Sequence, residues 1–128
     1  MALHRNVTLD EVEVPCYFPE ITTAAGGVVA YTVSPIKGEI IQLKATQYAS
    51  TAGTDTVITV AVNTTNITGG TITIPASAAG TVTSTLIDNP GITALVNEND
   101  VIRFTSNFAA NDSTVPATCS AIIRNRRN

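Results

Sequence analysis

Residues 26–46 read GGVVAYTVSPIKGEIIQLKAT, and this stretch decides the fold class. Val29, Tyr31 and Val33 fall on one side of an extended chain, and Val28, Ala30 and Thr32 on the other. Past Ser34-Pro35-Ile36-Lys37-Gly38, Ile41, Leu43 and Ala45 alternate with Ile40, Gln42, Lys44 and Thr46. A period of two marks a strand with one buried face. Pro35 fixes φ at the first corner of a turn and Gly38 supplies a permissive backbone, so the segment is expected to form a hairpin whose register the turn sets.

Toward the C terminus the same design recurs. Residues 57–63 place Ile58, Val60 and Val62 on one side of a third strand, and NTTNITGG at 63–70 carries turn chemistry. A short strand at 71–74 is stopped by Pro75, and a weakly amphipathic one follows at 81–87. Asp88-Asn89-Pro90-Gly91 is a turn signal, and 92–96 fits a single helical turn or a short strand equally well. Residues 101–106 turn Ile102 and Phe104 inward opposite Arg103; 117–124 set Ala117, Cys119, Ala121 and Ile123 against Thr118, Ser120, Ile122 and Arg124. Evenly spaced strands with turns between them predict an all-β fold, an antiparallel β-sandwich of the jelly-roll kind with about eight strands.

Toward the N terminus the pattern weakens. Pro15 and Pro19 interrupt pairing, and 22–27 reads as a linker, so residues 1–25 are expected to form an extended arm ahead of a sandwich domain at 26–128. The apolar group Val14, Cys16, Tyr17, Phe18 and Ile21 implies that the arm is tied down, either along a neighbouring molecule or as an edge strand of its own sheet.

Composition narrows the function classes. Hydrophobic residues make up 44 % of the chain but aromatic ones only 5 %, so the core is built from Val, Ile, Leu and Ala. Threonine accounts for roughly a sixth of the residues, which favours half-buried pleated surfaces. Charged residues are 13 %, against about 25 % in an ordinary soluble domain, and so bland an exterior suits packing against copies of itself or a larger assembly. A net charge of −3 argues against nucleic acid, and no apolar run is long enough to span a membrane. Asp10, Glu11 and Glu13 at one end and Arg124, Arg126 and Arg127 at the other could pair within or between subunits, but for exposed charges they read rather as solvated tails. Nothing at the N terminus marks the chain for secretion, so Cys16 and Cys119 are expected as free, buried thiols.

Chemistry-bearing groups are sparse. The single histidine, His4, lies in the arm, which removes histidine-based triads from the sandwich, and no cysteine–histidine spacing suits zinc. Asp55, Asp88, Glu98, Asp100 and Asp112 all sit beside turn residues, where short polar side chains satisfy backbone groups. Calcium at Glu98 and Asp100 is the alternative, but their spacing matches no EF-hand. The residues therefore predict no catalytic residue, no cofactor and no metal.

A set of motifs adds a resemblance. Val33-Ser34-Pro35 with Gly38 and Ile40, Asn63 with Gly69-Gly70, Ser77-Ala78-Ala79-Gly80, and Asn99 to Ile102 together resemble the small jelly-roll decoration (cement) proteins of tailed bacteriophages. That resemblance implies a non-enzymatic virion protein that binds the capsid exterior and bridges capsomers. It implies a major capsid protein as partner, a homo-oligomer with a trimer favoured over a dimer, and assembly in the host cytoplasm. The alternatives are a head- or tail-fibre adaptor and a carbohydrate-binding module. On this reading Val12, Val14, Tyr17, Phe18 and Ile21 of the arm are the contact residues, with Arg124, Arg126 and Arg127 as charge partners for an acidic neighbour.

Overall fold

In the computed structural model the described residues are 10–19, 21, 28–50, 55–77, 79–107 and 115–126. Nine strands build two antiparallel sheets: β1 (Glu11–Phe18), β2 (Val28–Val33), β3 (Gly38–Gln47), β4 (Thr56–Val62), β5 (Thr65–Ile74), β6 (Thr83–Leu86), β7 (Leu95–Val96), β8 (Val101–Asn107) and β9 (Ala117–Asn125). The first sheet runs β1-β9-β3-β6, with β7 also pairing β3; the second runs β2-β8-β4-β5. Apart from the β4–β5 hairpin and the step from β6 to β7, each connection passes from one sheet to the other, which gives jelly-roll connectivity. The all-β sandwich expected from the sequence is the fold observed.

The expected hairpin at 26–46 is not a hairpin. β2 pairs β8 in the second sheet, whereas β3 pairs β9, β6 and β7 in the first. Both edges of β3 are thus occupied, and none is left for β2. The turn between them is a corner fastened to the start of β8: Ser34 N–H donates to the Asp100 carbonyl at 2.9 Å, and Asn99 N–H donates to the Ser34 carbonyl at 2.8 Å. Gly38 serves close approach here, since a Cβ would stand 2.3 Å from the Arg124 carbonyl oxygen.

Strict alternation in β3 also fails. A bulge between Ile40 and Gln42 shifts the register against β9, so Ile40 and Leu43 are both buried and Ile41 is only half-buried. In the same way the turn expected at 63–70 shrinks to Asn63-Thr64, where Asn63 takes φ +56, and the rest of that run is strand β5. Gly69, at φ +75, lies within β5 opposite a register shift in β4, where the extra residues are absorbed. Residues 91–96 contain both alternatives that the sequence left open, a short 3-10 helix at Gly91–Ala94 and then β7.

Between the sheets lies one apolar core. Phe18, Ile21, Ile40, Leu43, Ile58, Val60, Ile72, Ile74, Ile102, Phe104 and Ile123 are essentially inaccessible. Each large side chain so buried contributes about 1.5–3 kcal/mol over its exposed state. Much of the expected arm belongs to this core. β1 pairs β9 along its whole length, from Glu11 opposite Arg124 to Phe18 opposite Ala117, as an edge strand of the first sheet. Just beyond β1, Ile21 N–H donates to the Val115 carbonyl at 2.9 Å, and its own carbonyl accepts the Ser106 hydroxyl at 2.9 Å.

Candidate functional site

Polar groups gather on the outer face of the first sheet. Insertion of β9 between β1 and β3 sets Ser120 beside both Pro15 and Lys44, and Thr118 beside both Tyr17 and Thr46. There the Ser120 hydroxyl donates to Glu13 Oε2 at 2.6 Å, while Lys44 Nζ stands 4.0 Å from Glu13 Oε1. The Tyr48 and Thr118 hydroxyls share a hydrogen bond, and the rings of Tyr17 and Tyr48 lie 6.4 Å apart. Glu13, Lys44, Thr118 and Ser120 line a shallow depression of about 210 Å³ together with Ala45, Thr46 and Val82. A cation, a carboxylate and hydroxyls therefore converge on one open surface, and the tilted Tyr17–Tyr48 ring pair adjoins it through Thr118. Such a surface can hold and orient a small polar molecule.

The residues expected to make contacts are dispersed. Val14, Phe18 and Ile21 are buried in the chain's own core and Val12 is half-buried; of these five expected contact residues of the arm, Tyr17 alone is exposed. Arg124 pairs with Glu11 at 3.3 Å across the β1–β9 ladder, so these two charges meet within the chain instead of standing apart as solvated tails. Arg126 N–H donates to the Lys37 carbonyl at 3.2 Å. Arg127, His4 and Asp112 lie outside the described residues. Asp55 accepts the Ala76 N–H at 3.0 Å and Asp100 the Asn97 N–H at 2.8 Å, the turn roles expected of them.

Cys16 and Cys119 face each other across the β1–β9 pair as free, buried thiols. Burial pushes Cys16 up to about 11 and Cys119 up to about 12; at Cys119 a smaller contribution comes from Cys16. Both are protonated near neutrality, and the thiolate is the form that attacks substrates and binds metals.

Fold and surface together define a double-sheet β-sandwich with a closed apolar interior. The sequence matches the family model described as 2OG-Fe dioxygenase over residues 42–123, well over half of its length, and the chain belongs to that family. No curated protein shows a significant match to the sequence. Family membership overturns the resemblance to phage decoration proteins, and with it the capsid role, the fibre and carbohydrate-binding alternatives and the expectation that the chain belongs to no enzyme class. The motifs behind that resemblance are corners, bulges and turns, which jelly rolls of different function share.

The residues present do not fit the iron that the family name implies. A non-haem iron oxygenase centre takes two histidines and one carboxylate. The matched segment contains no histidine, and among the described residues no three His, Cys, Asp or Glu side chains come together to hold a metal ion.

Lys44, Thr46, Tyr48, Thr118 and Ser120 were not distinguished by sequence reasoning as a site. Their outward positions follow from alternation, but their convergence depends on β9 entering between β1 and β3, which no local pattern signals.

Proposed function

We propose that the chain is an oxygenase-type domain, working in iron- and 2-oxoglutarate-dependent oxidation as the β-sandwich that presents substrate. The observation that carries this reading is the family match over 42–123. The outer face around Lys44 and Ser120 supports it as the surface on which a small polar substrate is held. Because the iron ligands are missing from the matched segment, this domain acts together with polypeptide that holds the metal.

The test uses complexes isolated from the native source through an affinity tag on this chain. They are supplied with Fe(II), oxygen and 2-oxoglutarate labelled at the carboxyl next to the keto group, and labelled CO2 is counted. The reading predicts release above that of complexes from an untagged strain, with a reduction in complexes carrying Lys44→Ala. Release no greater than in the untagged control would count against it.

A further inference from the structure

We infer that these 128 residues do not make up an iron(II) centre of two imidazoles and one carboxylate, and that the isolated chain holds no iron. A centre of two imidazoles and one carboxylate needs more histidine than the chain owns, since His4 is its single one and precedes the matched segment. Recruiting His4 would still leave the second imidazole unsupplied.

Carboxylates and thiols do not compensate. Asp55 stands just before β4, Asp88 follows β6, and Glu98 and Asp100 lie in the turn between β7 and β8. Asp55 and Asp100 already accept backbone N–H groups. The two thiols belong to the same apolar core cluster as Val14, Phe18, Ala117 and Ala121. The space between the sheets, where a jelly roll with a larger interior would admit a ligand, is filled by Phe18, Phe104 and a run of isoleucines. Placing a hydrated divalent ion among these apolar side chains would strip its water, and the buried polar side chains, Ser34, Gln47, Thr56, Ser106 and Ser120, include no histidine or carboxylate to replace it.

The test is metal retention by the isolated chain. Metal-free protein is dialysed anaerobically against Fe(II), and separately against Co(II), each with and without 2-oxoglutarate, and the metal in both compartments is measured by elemental analysis. The inference predicts equal metal on the two sides of the membrane. One ion retained per chain, whether or not His4→Ala then releases it, would overturn it. The outcomes separate the two readings. Retained metal removes this inference and strengthens the oxygenase-type reading. A blank dialysis combined with native complexes that release no labelled CO2 removes the oxygenase-type reading and leaves this one standing.

Discussion

The two faces of the first sheet use the same three strands for opposite ends. Inward, β1, β9 and β3 contribute Val14, Cys16, Phe18, Ala121, Ile123, Ile40 and Leu43, all buried. Outward, one or two positions along the same strands, they carry Glu13, Tyr17, Thr118, Lys44 and Thr46. The inward set closes the space where a jelly roll can carry a ligand, and the outward set gathers the polar groups that a ligand needs. In this chain, the stabilising face and the face proposed to hold substrate lie back to back across one sheet.

Substitutions on the inward side break that division most severely. Phe104→Ala, in the wholly buried centre of β8, should cost about 3–5 kcal/mol, read as a lowered denaturant midpoint with an unchanged slope. Gly38→Ala should follow at about 1–3 kcal/mol, because the new methyl meets the Arg124 carbonyl oxygen and a γ-methyl of Ile123, and the β3–β9 ladder must shift to make room. A Gly38→Ala protein as stable as the parent would show that the corner between the sheets is looser than described.

The buried thiols sharpen the comparison through pH. Their folded-state values, about 11 and about 12, lie above the ordinary 9.0, so an unfolded chain releases these protons first as pH rises. Their contribution is therefore fully present below pH 9, and stability falls as pH rises from 9 toward 11 and beyond. Denaturation midpoints at pH 8 and pH 10 should differ more for the parent than for the Cys16→Ala/Cys119→Ala variant, which shares every other group with it. Equal differences would contradict the burial of the pair.

Outward substitutions should be the mildest. Arg124→Ala removes an exposed ion pair with Glu11, and Lys44→Ala removes a loose one with Glu13; each should change stability by about 0–1 kcal/mol. Thermal melting checks both. A larger loss from Lys44→Ala would mean that the outer face supports the fold as well as the proposed substrate.

How much of this is legible in the sequence differs between the same two faces. The inward side is largely readable, because Ile58, Val60, Ile102, Phe104 and Ile123 sit at alternate positions in segments bounded by turn residues. It fails at Ile40 and Ile41, where a bulge changes the phase, and at 26–46, where a proline–glycine turn signals reversal but not which sheet receives the next strand. The outward side is nearly invisible. Ser120 and Lys44 are separated by most of the chain and meet only through a long-range ladder. Of the two placements left open for the arm, a neighbouring molecule or an edge strand of its own sheet, the second is observed for 11–18: Pro15 argues against a central strand, yet it is tolerated in β1 because β1 lies at the sheet edge.

The most direct test is a methyl NMR titration of the isolated chain with paramagnetic Co(II) and 2-oxoglutarate. A closed interior that holds no metal predicts that the methyl signals of Leu43, Ile58, Ile102 and Ile123 stay unmoved and unbroadened throughout. Large shifts centred on those four residues would place an ion between the sheets and contradict the account.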